Sequence, residues 1–276
     1  MQVKDIMTKE VVYAEVPGSV AEALELIIKK NISGMPVVKR GSKELLGIIT
    51  RDDFSEHPEE TQLALLMTRE VVAISPEANV EEAAKLFLKK KFRRMPVVKD
   101  GEVLGILTVN DLIGRAIGKM GISTPVGKYL RKSVTAVWEG TPIKVAYELM
   151  HLAGFRAFPV LNSEGMLVGI VANTDLLKVA QVTESTQKSE LAAAMEGDKW
   201  GWDSKNVIYI TKKTLELPDL TVEEIMVPNV ITATKKTTTS DCAKKMAKAR
   251  VEQVPVIDAE GNIIGLVRDI DLLKAF

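Results

Sequence analysis

The stretch KFRRMPVVKDGEVLGILTVND combines two apolar, strand-like runs with polar side chains that gather at the outer ends of those runs. Arg93 and Arg94 stand just before the first run, and Thr108, Asn110 and Asp111 close the second. An Asp-Gly pair between the runs predicts a hairpin, which places both groups of polar residues at the same end. Two guanidinium groups, a hydroxyl, an amide and a carboxylate at one end of a buried hairpin either stay solvated or line a cavity.

The composition limits the class of protein. A chain of 276 residues is long enough for two domains with a substantial buried core. Its 37 basic and 37 acidic residues balance, which does not favour nucleic acid as a partner. The sequence contains no apolar run near the roughly 20 residues that cross a bilayer, and the start MQVKDIMTKE lacks the pattern of a signal peptide. Its single cysteine cannot build a disulfide framework, and we expect a cytoplasmic protein without a membrane partner.

Three short landmarks recur four times in the same order, which indicates four copies of one unit. The first is a segment that reads DIMT, LLMT, KYLR or EIMV, and the second is a hydrophobic-Pro-Val step. The third is a glycine that is followed six residues later by an aspartate. The prolines, glycines and aspartates of the four copies are Pro36, Gly47 and Asp53; Pro96, Gly105 and Asp111; Pro159, Gly169 and Asp175; and Pro255, Gly265 and Asp271.

Within each unit the apolar periodicity changes from strand-like to helical and back, which predicts the order β-α-β-β-α. A capping residue marks the expected start of the first helix in each unit. These residues are Ser19, Asn79, Thr141 followed by Pro142, and Thr238. A turn that contains glycine joins the two later strands. Its glycines are Gly41, Gly101, Gly165 and Gly261.

One such unit is too small to close a core around its sheet, so neighbouring units should pair, one with two and three with four. An insert between units three and four contains a loop-like stretch, EGDKWGWDSKN, and a strand-like stretch, NVIYI. The predicted boundaries are 1–57, 63–118, 124–181 and 218–276 for the units and 182–217 for the insert.

The ordered motifs DIMT, MPVV and GIIT or GILT, the last followed by an aspartate, resemble the cystathionine-β-synthase (CBS) domain. The resemblance covers nearly all of the chain except the insert. It implies an α+β fold in which four CBS domains pair as two Bateman modules, similar to the gamma subunit of AMP-activated protein kinase and to stand-alone archaeal CBS proteins. In that family, clefts between paired units bind adenosine ligands, most often AMP, ADP or ATP.

The resemblance also implies that the aspartate of a Gly-x-x-Ser/Thr-x-x-Asp motif holds the ribose. An ionised carboxylate at a helix start can accept hydrogen bonds from both ribose hydroxyls. Units three and four depart from the motif, because Ala172 and Arg268 replace the hydroxyl residue. The implied residues are Thr50 and Asp53; Thr108, Asn110 and Asp111; Thr174 and Asp175; and Arg268 and Asp271.

In the same family, cations just before the second strand bind phosphate. Unit two has Arg93 and Arg94 there, and unit three has Arg156. Unit one has no cation at these positions and would depend on Arg51 or on a neighbouring unit, whereas unit four has Glu252, which would repel phosphate. The adenine is expected in an apolar slot read by the backbone of the first strand. The positions concerned are Tyr13, Ile74, Thr135 and Thr232.

Other interpretations remain open at this point. An aspartate after a strand is often only a helix cap, and paired arginines are often solvated. The ligand could instead be S-adenosylmethionine, NAD(H) or nucleic acid, or the chain could be a partner-binding scaffold with degenerate sites. Cys242 falls in register with an alanine of each other unit, which predicts an inert core position.

No nucleophile–base pair, metal-ligand spacing or cofactor loop suggests catalysis. We therefore expect a regulatory protein, not an enzyme, that binds AMP, ADP or ATP and acts on a protein partner that the sequence does not identify. We expect no metal and no catalytic cofactor. A homodimer stays open.

Overall fold

The structure is a computed structural model of the chain, and it describes residues 1–57, 60–90, 92–191 and 206–276. The chain forms two compact units. Unit 1 comprises Met1–Ser133, Ile231–Asp258 and Ile264–Phe276, and unit 2 comprises Val134–Val230 and Ala259–Ile263. Among the described helices, none is long and apolar enough to cross a membrane.

Repeat one, in unit 1, has the predicted β-α-β-β-α order behind a short leading helix. Its elements are α1 (Val3–Ile6), β1 (Ala14–Val16), α2 (Val20–Lys29), β2 (Gly34–Lys39), β3 (Leu45–Thr50) and α3 (Arg51–Glu56). Strand β1 pairs with β2 in parallel, and β2 pairs with β3 in antiparallel register. Ser19 caps α2 as predicted, since its hydroxyl accepts the N–H of Glu22.

Repeat two, also in unit 1, repeats this plan with a reduced first strand. Its elements are α4 (Leu63–Leu66), α5 (Val80–Lys90), β4 (Arg94–Lys99), β5 (Glu102–Thr108) and α6 (Val109–Asp111), which continues as a π-helix over Leu112–Ile117. The predicted first strand is a single parallel bridge between Ile74 and Val97. The hairpin predicted at Asp100-Gly101 is confirmed, and Gly101 adopts a φ of 85° that an L side chain rarely tolerates.

Repeat three begins in unit 1 and continues in unit 2 from Val134 onward. Its elements are a 3₁₀ helix (Val126–Tyr129, in unit 1), β6 (Val137–Trp138), α7 (Ile143–Ala153), β7 (Ala157–Leu161), β8 (Leu167–Ala172) and α8 (Asn173–Val179). Pro142, not Thr141, is the N-cap residue of α7. An antiparallel pair follows, β9 (Gln181–Leu191) with β10 (Asn206–Glu216), which confirms the strand predicted at NVIYI. The loop predicted at EGDKWGWDSKN lies outside the described residues except for its last residue.

Repeat four closes the chain. Its elements are α9 (Val222–Ile225), α10 (Thr239–Ala249), β11 (Gln253–Ile257), β12 (Ile263–Arg268), α11 (Asp269–Leu272) and a 3₁₀ turn (Leu273–Ala275). Thr238 caps α10 as predicted, through the N–H of Asp241. Cys242 lies fully buried on α10 beside Ala243 and Met246, which confirms the predicted core position.

The segment that leads each repeat packs on a different repeat. In unit 1, Thr8 of repeat one pairs with Ile106 of repeat two, and Thr68 of repeat two pairs with Ile48 of repeat one. Unit 1 also pairs Arg131, from the segment before repeat three, with Leu266 of repeat four. In unit 2, Val227 from the start of repeat four pairs with Ile170 of repeat three. This exchange supplies apolar side chains that a single repeat lacks.

The core of unit 1 joins repeats two and four. Helix α10 packs on the π-helix so closely that a Cβ on Gly114 would lie 2.7 Å from the Cβ of Ala247. Phe87, Met95 and Ile113 are among the fully buried side chains of this core. Because this core is densely packed, it fixes the positions of repeats two and four relative to each other.

Candidate ligand-binding sites

The aspartates predicted to hold ribose in repeats one and two are first of all helix caps. In repeat one, Oδ2 of Asp53 accepts hydrogen bonds from the main-chain N–H and the hydroxyl of Thr50, at 2.6 and 2.8 Å. In repeat two, Oδ2 of Asp111 accepts the same two bonds from Thr108, at 3.0 and 2.6 Å. The cap interpretation is therefore correct for both residues, and it uses only one oxygen of each carboxylate.

The second carboxylate oxygen distinguishes these two repeats. Among the residues that the structure describes, none donates a hydrogen bond to Oδ1 of the half-buried Asp53. Oδ1 of Asp111 lies 3.4 Å from Nη1 of Arg115, one helical turn later. Burial raises the pKa of Asp111, and the bonds from Thr108 and the charge of Arg115 oppose that shift. Oδ1 of Asp53 and Oδ1 of Asp111 can therefore each still accept a hydrogen bond from a ligand, since the contact between Asp111 and Arg115 is long.

In repeat three the equivalent carboxylate has a close cation. Oδ2 of Asp175 accepts the main-chain N–H of Ala172 at 3.0 Å, and Oδ1 accepts Nζ of Lys178 at 2.8 Å. The predicted substitute hydroxyl of Thr174 is exposed, and so is Arg156. A ribose at this position would have to compete with Lys178.

In repeat four the carboxylate is saturated by three cations. Arg131 binds Asp271 through two nitrogens at 2.6 and 3.0 Å, Arg268 donates at 3.0 Å, and Lys274 donates at 3.1 Å. Burial opposes ionisation, but these hydrogen bonds prevail and hold the pKa of Asp271 well below its usual range. Arg268 and Asp271 thus form a structural ion cluster with no oxygen left over for a sugar.

A cation from repeat two reaches the site of repeat one. Arg94 stands opposite Thr108 in the β4–β5 register, and its Nη2 donates to the hydroxyl of Ser33, the residue before β2. Arg51 approaches the same corner, because its Nε donates to the carbonyl of Ile32 at 3.0 Å. Arg51 of repeat one and Arg94 of repeat two therefore both lie next to the start of β2. They are the two kinds of cation, its own and a neighbour's, on which the sequence predicted that repeat one would depend.

Arg93 points to another place. Its guanidinium binds the carboxylate of Asp269 in repeat four through two nitrogens, and its Nε lies 3.1 Å from Glu252. Consecutive residues of a strand face opposite sides, so Arg93 and Arg94 part at the start of β4. Arg93 and Arg94 therefore do not face one shared phosphate position in this structure, as the sequence predicted, because Arg93 is paired with Asp269.

The predicted adenine positions differ in what they can offer. The N–H of Ile74 donates to the carbonyl of Pro96 and its carbonyl accepts the N–H of Val98, so its main chain is engaged in the sheet, and its place beside an adenine stays a prediction. The carbonyl of Thr232 accepts Nζ of Lys245 at 3.3 Å. Tyr13 is half-buried just before β1, and Thr135 is exposed. Asn110 is exposed on the first turn of α6.

An open surface cavity of ≈ 510 Å³ lies elsewhere in unit 1. Its lining comes from the segment that leads repeat one and from repeat two, and it contains none of the predicted site residues. The residues that line it are Lys4, Asp5, Met7, Lys9, Pro76, Glu77, Lys99 and Leu104. Lys99 and Glu77 pair with each other at 3.2 Å within it.

Several residues of these sites were missed from the sequence. Arg115 and Lys178 follow their aspartates by four and three residues, a helical spacing that could have been read directly. Arg131 and Asp269 had no such signal, because they meet Asp271 and Arg93 across 140 and 176 residues of chain. Among the described residues, no group of three His, Cys, Asp or Glu is placed to hold a metal.

Four repeated β-α-β-β-α units with exchanged leading segments and capped aspartates define a CBS-type architecture. The CBS domain profile matches residues 3–60, 63–118, 126–181 and 222–276, and this chain belongs to the CBS-domain family. Its four domains pair as two Bateman modules.

Two known structures resemble this chain in fold over its whole length. An uncharacterised conserved protein from Pyrococcus horikoshii is 34% identical, with a TM-score of 0.71 over 100% of this chain and 99% of its own. MJ1225 from Methanocaldococcus jannaschii, proposed as an archaeal homologue of g-AMPK, has a TM-score of 0.70 over 100% of both chains. Its curated sequence is 26% identical over 99% of this chain and 98% of its own. The CBS protein CBSX2, solved with AMP, matches 41% of this chain and 92% of its own at 32% identity and a TM-score of 0.39.

Proposed function

We propose that this protein is a non-catalytic sensor that binds an adenine nucleotide between repeats one and two. The proposal is supported by the side chains that meet at the starts of β2 and α3 in repeat one. There, Arg94 of repeat two donates to Ser33, Arg51 donates to Ile32, and the carboxylate of Asp53 caps α3. A cation from one repeat and a carboxylate from the other suit the two polar ends of a nucleoside phosphate.

The two ends of the ligand would use different chemistry. Oδ1 of Asp53 accepts ribose hydroxyls while Oδ2 continues to cap α3, so binding does not unmake the helix start. The phosphate takes donors from Arg94 and Arg51. Each hydrogen bond to a charged group contributes roughly 1.5–3 kcal/mol, and the cost of ordering the ligand and the side chains offsets part of this gain.

Repeat two offers a second site of the same kind around Asp111, because Arg94 also stands opposite Thr108. The single guanidinium of Arg94 cannot bind a phosphate in both sites with full strength. We therefore place the first nucleotide in repeat one and a weaker one in repeat two, while the saturated Asp271 leaves repeat four without a ribose site.

Titration calorimetry with adenosine, AMP, ADP and ATP tests the proposal. AMP should bind Arg94→Ala about 10- to 150-fold more weakly than wild type, while adenosine should bind both equally, because it has no phosphate. Arg40→Ala is the matched control, since Arg40 follows the other end of β2 and pairs with Glu15 at 3.8 Å. AMP affinity should be unchanged in that variant.

The same titrations separate the alternatives. Absence of binding by every adenosine ligand at millimolar concentration would leave a partner-binding scaffold as the function. Tight binding of S-adenosylmethionine or NADH instead of AMP would keep the site and change its ligand. If chromatography of the mixture shows that the nucleotide is consumed over time, the protein is an enzyme instead.

A further inference from the structure

The ion pair between Arg93 and Asp269 is better buried than the contact between Arg94 and Ser33. The side chain of Asp269 is only 3% exposed and that of Arg93 27%. Two guanidinium nitrogens face the two carboxylate oxygens, and Glu252 lies against the third nitrogen at 3.1 Å. Bidentate pairing of this kind fixes both the position and the direction of a guanidinium.

The ion pair connects equivalent positions of repeats two and four, next to the start of the last helix of each repeat. In repeat two, the N–H of Val109 donates to the carbonyl of Arg93 at 3.1 Å, and in repeat four, the N–H of Asp269 donates to the carbonyl of Glu252 at 2.9 Å. Val109 and Asp269 are each the first residue after the N-cap of the helix that carries the ribose-type aspartate. Arg93 is therefore attached through its main chain to the helix start that bears Asp111, while its side chain is attached to repeat four.

Release of Arg93 has a defined consequence. Once released from Asp269, Arg93 could turn its guanidinium toward a phosphate at the site of repeat two, because its carbonyl is bonded to the helix start that bears Asp111. Asp269 would then be left buried without its cation. Removing one partner of a buried pair is expensive, because the remaining charge is desolvated and uncompensated. The carboxylate of Asp269 and the phosphate of a ligand thus compete for the same guanidinium.

We propose that Asp269 determines the nucleotide affinity of repeat two, by withholding Arg93 from the phosphate of the ligand. This inference rests on the proposed function. It assigns to repeat four, which has no ribose site of its own, the role of setting the affinity of another repeat. It also means that the phosphate and the contact between repeats two and four oppose each other, a coupling that must act equally in both directions.

The experiment compares AMP and adenosine binding to wild type, Asp269→Asn, Arg93→Ala and the double variant by titration calorimetry. Asp269→Asn removes the charge and keeps the shape, so Arg93 becomes available and AMP should bind repeat two about tenfold more tightly or better. Adenosine should bind as in wild type. The gain should disappear in the double variant, and Arg93→Ala alone should not bind AMP more tightly than wild type.

Asp271→Asn is the matched control, because it makes the same change on the same helix but touches Arg131, Arg268 and Lys274 instead of Arg93. Its AMP affinity at repeat two should not rise. Far-UV circular dichroism and thermal unfolding establish that each variant is folded. Because folding is measured separately, a weaker variant cannot be mistaken for an unfolded one.

The titrations distinguish a failure of this inference from a failure of the proposed function. Unchanged or weaker AMP binding by Asp269→Asn, with normal adenosine binding, overturns the inference and leaves the proposed function intact. An equal gain in Asp271→Asn also overturns it, since the effect would then be one of net charge. Failure of adenosine and AMP to bind any variant overturns the proposed function, and the inference falls with it. A gain in AMP affinity that is confined to Asp269→Asn supports the inference.

Discussion

The sulfur of Met7 packs directly on Gly105, at 2.5 Å from the position that a Cβ on this glycine would occupy. Met67 stands in the same relation to Gly47, at 2.8 Å. The methionine comes from the leading segment of one repeat and the glycine from the hairpin of the other. The repeated glycine therefore leaves the space that the methionine of the other repeat fills.

Gly105→Ala should lower the free energy of unfolding by about 1–3 kcal/mol, because the added methyl group has to displace Met7 from a dense core. Urea unfolding followed by circular dichroism measures the change. Met7→Ala in the same chain should recover part of the loss, a non-additive result that would identify the contact. Full additivity of the two substitutions would show that the clash is not the cause.

Gly265→Ala should be more harmful than Gly105→Ala. At Gly265 the new Cβ would meet the carbonyl oxygen of Arg131 at 2.5 Å, and a main-chain atom cannot rotate away as a methionine side chain can. The same carbonyl accepts the N–H of Leu266, so its retreat would break a hydrogen bond of the leading segment. Parallel urea unfolding of the two variants gives the comparison, and equal losses would contradict this explanation.

Asp271 should make the protein sensitive to acid. Its pKa is lower in the folded protein than in the unfolded chain, so its contribution to stability is complete above the unfolded pKa of about 3.9 and is lost as the pH falls below it. Asp271→Asn should cost about 1–3 kcal/mol at neutral pH, with a discount because Arg131 and Lys274 are about half exposed.

The measurement is the urea midpoint of wild type and Asp271→Asn between about pH 7 and pH 3. The difference between the two proteins should shrink as the pH drops below about 4. Asp241→Asn is a suitable control, because Asp241 is an exposed acid of the same repeat that accepts the hydroxyl of Thr238, the N-cap residue of α10. A constant difference between wild type and Asp271→Asn at every pH would mean that the ion cluster does not titrate as the geometry requires.

Asp53→Asn separates the cap from the proposed ligand contact. An asparagine oxygen can still accept the N–H and hydroxyl of Thr50, so thermal stability should change by less than about 1 kcal/mol. Adenosine affinity should fall about tenfold or more, because the charged acceptor for the ribose is gone. Calorimetry and thermal unfolding on the same sample provide both numbers. A large loss of stability with unchanged affinity would make Asp53 a cap only.

The elements of this fold were predictable because each depends on local chemistry. Ser19 and Thr238 cap their helices and Gly101 makes its turn through contacts within a few residues. Pairing of repeats one and two followed from the small size of a unit. The exchange of leading segments was not predictable, because a methionine such as Met7 carries no mark of which glycine it will cover.

The candidate sites divide in the same way. The position of Asp53 and Asp111 at helix starts was readable from a motif, since the cap and the motif are the same residues. The direction of Arg93 was not, because a guanidinium takes whichever carboxylate the tertiary fold presents, and Asp269 is distant in sequence. Repeat one has no cation of its own before its second strand, and Arg94 of repeat two reaches it there through a contact that the motif spacing does not indicate.

Cys242 should be unreactive in the folded protein. Its side chain is fully buried on α10, and burial raises the pKa of its thiol to about 11, although the charge of Lys245 acts in the opposite direction. A disulfide reagent such as Ellman's should therefore modify the native protein only at the rate at which the core opens. Addition of urea beyond the unfolding midpoint should expose one thiol per chain at once.

The control is Cys242→Ala, which gives repeat four the alanine that the other repeats have at this position, at Ala23, Ala83 and Ala146. This variant should abolish the thiol signal and leave nucleotide binding intact. Rapid modification under native conditions would show that α10 does not stay packed on the π-helix.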